Sequence, residues 1–380
     1  MIIMLEKSEE IMKKFLSFIK NEVVMLVSLL LAVLSMFFVA PSSKYINYID
    51  FRTLTLLFCL MTVMAGFNRM GLFKIMAEKL LGRAKQLRVV IIILVLLCFF
   101  SSMIITNDVA LITFVPFTIV TLKLAEQGKM LIFTVTLETA AANLGSMLTP
   151  IGNPQNLYLF SVYDMSITEF FRTIFPYALL SLVMLIAFTL FSGKYNLNLA
   201  VNSKIKKPDT KLMVIYFILF ALSLLGVFRA LNYIFLLIIV VTVVALFDRK
   251  SFLKVDYSLT LTFVFLFIFI GNLGNIPIIS KWLSNTVNGN EVIAGVLTSQ
   301  VFSNVPAAVL LSGFTQNANS LLIGVNLGGL GTLIASMASL ISFKFIQKEK
   351  TNTAKYLLVF TVVNIIFLAM NLVLWLLIRQ

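Results

Sequence analysis
Two stretches of this chain stop helices inside sequence that is otherwise apolar enough to lie in a membrane. The first runs from Asn143 through Gly145, Pro150, Gly152 and Pro154 to Asn156; the second runs from Asn326 through Gly328, Gly329 and Gly331 to Thr332. Glycine and proline are the residues least able to sustain a helix. In hydrocarbon an unwound N–H or C=O without a partner is costly, so a break persists only where it faces a cavity or a bound solute. A small polar triplet precedes each break, Thr106-Asn107-Asp108 in one half and Ser303-Asn304-Val305 in the other. Paired breaks at corresponding places in two halves point to the binding site of a secondary transporter.

With 60% apolar and 12% charged residues in 380, the chain cannot clothe an ordinary soluble surface. It reads as an all-α polytopic membrane protein. The excess of 30 Lys and Arg over 16 Asp and Glu sits between apolar segments rather than on one face, which fits the positive-inside rule and not a nucleic-acid partner. There is no histidine, so proton coupling has to use carboxylates. Cys59 and Cys98 both fall in apolar runs and read as buried thiols. No metal-ligand spacing appears and no cofactor is expected beyond bound sodium. An intramembrane enzyme finds no histidine base and no paired membrane aspartates.

Apolar windows of membrane length give about nine transmembrane spans plus two re-entrant hairpins, at about 89–122 and 292–314, and two broken helices, at about 131–160 and 320–343. The basic stretches 68–88 and 193–211 belong in the cytoplasm, as does an amphipathic N-terminus at 1–22. Threading onward places 281–291 outside as a loop and sends the C-terminus outside. The order of elements in 23–192 recurs in 233–380 with opposite starting side, and 193–232 supplies a basic linker and an extra helix. That is the pattern of two inverted-topology repeats. Asp50 and Asp256 open corresponding spans.

A tip such as Thr106-Asn107-Asp108 offers hydroxyl, amide and carboxylate oxygens, the hard ligands a sodium ion requires. The second tip, with Ser303 and Asn304, keeps the amide but has Val305 where the first has Asp108. Asp108 and Glu138 are the candidates for proton coupling. At the first break Gly145, Pro150, Gly152 and Pro154 free carbonyls for a cation, while the arm after Pro154 turns N–H groups and a positive dipole end inward. Ser146, Thr149, Asn153 and Asn156 add neutral donors and acceptors for a substrate, as do Gly331, Thr332 and Ser336 in the second half, with Ser339 extending the set. No Lys or Arg falls near the middle of either break, so an anion would depend on helix ends, amides and co-bound cations.

Thr-Asn-Asp-Val-Ala-Leu at 106–111, Thr-Pro-Ile-Gly-Asn-Pro-Gln-Asn at 149–156 and Ser-Asn-Val-Pro at 303–306 resemble the ion transporter superfamily. It includes divalent-anion:sodium symporters (solute carrier 13-like), citrate carriers, arsenite permeases and some sodium/proton antiporters. The resemblance implies hairpin tips that meet broken helices, with Asn107, Asp108, Asn143 and Gly145 at one ion site and Asn304, Asn326 and Gly328 at the other. It also implies a homodimer. Dicarboxylate symporters typically carry Ser-Asn-Thr at both tips, and this chain departs from that toward arsenite-permease-like members with an Asn-Asp pair. The expected function is ion-coupled secondary transport of a small anion across the cytoplasmic membrane, with sodium or protons as coupling ion. Sodium/proton antiport and arsenite-type oxyanion export are the alternatives, and a passive channel is a further rival.

Overall fold
The structure, a computed structural model, describes residues 22–72, 75, 86–193, 195, 209–349 and 351–379. The N-terminal segment and most of the two basic cytoplasmic stretches expected above lie outside these residues. Among the described residues the chain is helical throughout, with no strand. The first half holds α1 (Val23–Met36), α2 (Phe51–Arg69), α3 (Leu87–Ile105), α4 (Asn107–Leu124), α5 (Leu131–Ser146), α6 (Pro154–Val162) and α7 (Ile167–Thr189). A single helix α8 (Thr210–Val227) follows. The second half holds α9 (Tyr233–Phe247), α10 (Tyr257–Gly274), α11 (Pro277–Val287), α12 (Glu291–Phe302), α13 (Asn304–Ser312), α14 (Ala318–Gly328), α15 (Met337–Lys348) and α16 (Thr353–Arg379). Among the described residues seven helices, α2, α3, α4, α7, α8, α10 and α16, are long and apolar enough to cross a bilayer, and α1, α9, α12 and α14 are shorter apolar helices. The molecule is a polytopic helical membrane protein.

Local chemistry explains the helix starts. Asp50 and Asp256 cap α2 and α10 from nearly the same backbone conformation (φ −79°, ψ 87° and φ −81°, ψ 87°), each accepting the amide of the third residue on, Thr53 or Leu259. A cap oxygen satisfies one of the amides that the first helical turn leaves without a partner. Asn153 does the same for α6, accepting from the Asn156 amide at 2.9 Å, and Pro154 opens the helix where no N–H is needed.

Both breaks are unwound backbone. Residues 147–153 separate α5 from α6, and 329–336 separate α14 from α15 with one 3-10 turn at Leu333–Ala335. The hairpins differ from each other. The arms before and after Asn304 are 12 and 9 residues long, whereas those before and after Asn107 are 19 and 18. At 1.5 Å per residue either arm of the first hairpin is long enough to cross alone, at about 27 Å. Its tip is nevertheless interior, because the Asn107 amide donates to the Gly152 carbonyl of the first break at 3.2 Å.

Of the residues 281–291 expected as an outside loop, 281–287 belong to α11 instead. Pro277 starts it at the first helical turn. Ile278 and Trp282, one turn apart, are 83% and 64% exposed, so this helix presents large apolar side chains outward. Cys59 and Cys98 are both free and buried.

Three ion pairs join segments far apart in sequence: Arg69 of α2 with Asp248 after α9, Lys123 of α4 with Glu349, and Arg229 with Asp164. Glu169 accepts a hydrogen bond from Asn319 at 3.0 Å. Asp248 also accepts from Tyr216 Oη at 3.0 Å and Ser251 Oγ at 2.7 Å, which ties α2, α8 and α9 together. Its side chain is 3% exposed against 33% for Arg69. Asp248→Ala is expected to destabilise the fold by about 2–3 kcal/mol, less than a fully buried pair because Arg69 keeps some water. A melting temperature in detergent equal to that of the parent protein would show that the pair holds nothing together.

Candidate functional site
The two tips share one unusual backbone conformation. Thr106 sits at φ 71°, ψ 153° and Ser303 at φ 74°, ψ 155°. This region suits glycine and strains any residue with a Cβ, a β-branched threonine most of all. The geometry turns each arm sharply, so that Asn107 and Asn304 start the next helix pointing at the breaks. Both asparagines are buried, at 4% exposure.

From the first tip, Asn107 Nδ2 donates to Asn143 Oδ1 at 3.0 Å, and Asn107 Oδ1 accepts the Asp108 amide at 3.0 Å. Asn143, on the last turn of α5, reaches across to the other half. Its Oδ1 accepts from Ser336 Oγ at 3.0 Å, and its Nδ2 faces Ser339 Oγ at 3.4 Å and the Gly329 carbonyl at 3.5 Å. A second cross-link joins the same breaks: Asn153 Nδ2 donates to Asn326 Oδ1 at 3.2 Å, and Asn326 Nδ2 donates to Asn156 Oδ1 at 2.7 Å. Asn156 Nδ2 lies against three carbonyls of its own break, those of Ser146 (3.3 Å), Met147 (3.1 Å) and Thr149 (3.1 Å). The Thr149 hydroxyl donates to the Met103 carbonyl of α3. The breaks of the two halves therefore meet at one buried lattice of amides.

Close approach is what the glycines allow. A Cβ on Gly145 would lie 2.1 Å from the Phe99 carbonyl of α3, one on Gly152 2.1 Å from the Ser146 carbonyl, and one on Gly328 2.5 Å from Ser299 Oγ of α12. Gly329 backs onto the Asn304 amide, where a Cβ would stand 2.9 Å from Nδ2. At the second break Gln300 of α12 bonds the backbone on both sides of Gly331. Thr332 contributes its amide there, and its side chain is exposed.

A cavity of about 360 Å³ opens beside the first tip. Its inner wall includes Thr106, Asp108, Asn153 and Pro154, and its outer part includes Asn68, Arg69, Lys254 and Asp256. Asp108 is half-buried, and its Oδ1 is buried with no hydrogen-bond partner among the described residues. Glu138 is elsewhere: it is fully buried on α5, accepting from Thr118 Oγ1 of α4 at 2.5 Å, and does not line this cavity. The sequence places no basic residue near a break, yet Arg69 and Lys254 face the same space as the first tip. They arrive from the end of α2 and the approach to α10, and only the packing of those segments reveals it. Gln300 was likewise unmarked by motif, and Gln155 lies inside the 149–156 motif but was assigned no role. Gln155 is 2% exposed, and its Oε1 has no partner among the described residues.

Two broken helices meet face to face inside a polytopic helical bundle, and the cavity at one of them is mainly apolar with a few polar and charged groups, an arrangement that suits a membrane transporter. Known proteins agree. The profile of the citrate transporter family (CitMHS) matches residues 1–322. The chain is 33% identical over 327 residues to the uncharacterized transporter MJ0456 of Methanocaldococcus jannaschii, covering 85% of this chain and 88% of that protein. It is 30% identical over 316 residues to the inner membrane protein YbiR of Escherichia coli, covering 80% and 82%. The chain belongs to the citrate transporter family and is a membrane transporter, not an enzyme.

The tip strain makes its own prediction. Ser303→Gly relieves a conformation that costs about 1–3 kcal/mol, against about 0.5–1 kcal/mol for the added freedom of glycine in the unfolded chain. The variant is expected to melt at a higher temperature than the parent in detergent. A lower melting temperature would mean that the serine hydroxyl, not the backbone, dominates at that position.

Proposed function
We propose that this chain is an ion-coupled secondary carrier that moves a small anion across the cytoplasmic membrane by alternating access between its two halves. One observation carries the reading: the breaks of the two halves are joined to each other through Asn143, Asn153, Asn156 and Asn326, beside a cavity that reaches the first tip. A solute held there touches both halves, so a rearrangement of one against the other changes the side from which it is reached.

The coupling cation, sodium or a proton, is assigned to the first tip, where Asp108 supplies a carboxylate oxygen without a partner among the described residues; Asn107, Asn143 and Gly145 are the further ligands that the resemblance assigns. Asn304, Asn326 and Gly328 form the uncharged counterpart. The substrate is assigned to Ser146, Thr149, Gly152, Asn153 and Asn156 on one side and Gly331 and Thr332 on the other. Lys254 and Arg69 bring positive charge to a cavity that Asp108 and Asp256 also line, and Asp248 already neutralises Arg69 in part, so an anion there depends on a cation or proton at Asp108. Basic residues gather at the cavity's outer end, with Arg249 and Lys250 close by in sequence, which supports a cytoplasmic mouth, a cytoplasmic N-terminus and an external C-terminus. Resemblance favours a homodimer.

A second reading rests on Asp256, which lines the same cavity as Asp108. Two carboxylates on one path suit exchange of sodium for protons with no anion carried. Thermal stabilisation of purified protein separates the two, because a solute that binds only the folded state raises its melting temperature. Carboxylate and oxyanion salts are tested with sodium and with potassium. A shift that needs both an anion and sodium supports the anion carrier; a shift with sodium alone, changing with pH and indifferent to every anion, supports the antiporter. Asn107→Ala and Asp108→Asn are expected to reduce coupled flux in proteoliposomes at least tenfold without loss of folded protein. Parent-like flux in both would remove the first tip from the mechanism.

A further inference from the structure
The second break is closed by a side chain that belongs to neither tip triplet nor break. Gln300 stands three residues before the tip residue Ser303. Its Nε2 donates to the carbonyls of Gly328 and Leu330, both at 2.9 Å, with the Val296 carbonyl at 3.2 Å, and its Oε1 accepts the Thr332 amide at 3.0 Å. Gly331, at φ 105°, makes the fit possible, since a Cβ there would lie 2.5 Å from Oε1. Three residues before the first tip, at Thr106, is Met103, whose side chain has no amide; only its backbone carbonyl takes part, accepting from Thr149. The tips differ in the same sense. Asp108 brings a carboxylate with an unpartnered oxygen, while Val305 is 4% exposed and apolar.

An amide NH₂ set between converging carbonyl oxygens presents positive hydrogens where a small cation would present its charge. We propose that the Gln300 amide stands permanently in the place of a coupling cation at the second break, so that coupling is carried by a single cation at the first. The inference rests on the ion-coupled reading above. It makes the two halves unequal in cycle as well as in sequence: one break exchanges its positive group with the solution, and the other has it built in.

Gln300→Glu tests it. The variant replaces the donor with a carboxylate oxygen facing the Gly328 and Leu330 carbonyls, a cluster that repels itself until a cation enters. Melting curves of the full-length protein are recorded against sodium chloride, with choline chloride holding ionic strength constant, and initial flux in proteoliposomes is measured against the same cation. The parent is expected to respond with a Hill coefficient of about 1, since the coefficient is bounded by the number of sites. Gln300→Glu is expected to melt lower than the parent without sodium, to recover as sodium is added, and to show a coefficient rising above 1. Gln300→Met, which removes the amide without adding charge, is expected to melt lower at every sodium concentration with no added response.

A parent Hill coefficient near 2, or a Gln300→Glu melting temperature that follows sodium no more than the parent's does, overturns the proposal. Loss of the parent's sodium response in Asp108→Asn supports the placing of the single cation. If the parent's melting and flux ignore both sodium and pH, the ion-coupled reading itself fails, an outcome separate from whether Gln300→Glu acquires a sodium response.

Discussion
Unwound backbone in the interior of a membrane protein has to find its hydrogen-bond partners within the protein, and the rest of this structure is arranged around that requirement. At the first break a single side-chain amide, Asn156, meets three carbonyls that the interrupted helix leaves behind. At the second, Gln300 meets two carbonyls and an amide. Neutral amides suit this work because they donate and accept at once, and burying them costs far less than burying a charge. Without those two side chains the breaks would hold costly unpaired groups, and continuous helices would compete with the native fold. The glycines follow from the same requirement. At the second break the carbonyls can be reached only if α12 lies close on α14, which is where a Cβ on Gly328 would collide; at the first, Gly145 lets α3 lie close on α5.

The halves solve one problem with different residues. In the first, Asn156 comes from the second arm of the broken helix itself; in the second, Gln300 comes from the hairpin. The capping amide thus binds α6 to its own break in one half and α12 to the neighbouring break in the other. The first hairpin is held to its break by the Asn107 amide on Gly152 and by the Thr149 hydroxyl on Met103. Each hairpin and its break are consequently a unit, and the amide lattice through Asn143, Asn153 and Asn326 is the seam between units. That seam includes contacts of 3.2 Å and longer between neutral groups, individually modest in energy, so it is the natural place for a rearrangement that keeps both units intact.

What the amino-acid order revealed is what breaks local rules. Gly, Pro and Asn in apolar sequence disclose the two breaks, and the triplets at 106–108 and 303–305 disclose the turns, because no uniformly helical span needs them. Asp50 and Asp256 announced corresponding helix starts, and both act as caps. Long-range placement was not legible. Lys254 and Arg69 share a cavity with Asp108 although they are far from it in sequence, so counting charges near the breaks could not find them. Gln300 lies in an ordinary apolar helix, and its role depends on Gly331, thirty-one residues later, leaving room for it. The strain at Thr106 and Ser303 is a backbone property with no composition signal at all. The hairpin expected at about 89–122 falls within two residues of the outer ends of α3 and α4, because the uninterrupted apolar run on each side of the triplet sets the length of the arms.

Charge is placed as sparingly in the core as those amides imply. Arg69 and Asp248, Lys123 and Glu349, and Arg229 and Asp164 neutralise one another. Asp108 and Glu138 each keep a buried carboxylate oxygen without a partner among the described residues, and of the two it is Asp108 that lines a cavity. A buried carboxylate oxygen without a protein partner is stable only if a cation or proton accompanies it. The second break has a neutral amide and a valine in the corresponding places, so it asks for no such companion. Wherever the substrate sits along the seam, its charge is felt unequally by the two halves. In the proposed ion-coupled cycle the half with Asp108 would change its net charge as its cation comes and goes, and the half with Gln300 would not. The gradients set the direction of such a cycle; the inequality of the halves decides which of them responds to the ion, because a ligand shifts an equilibrium only through its differential affinity for the two states.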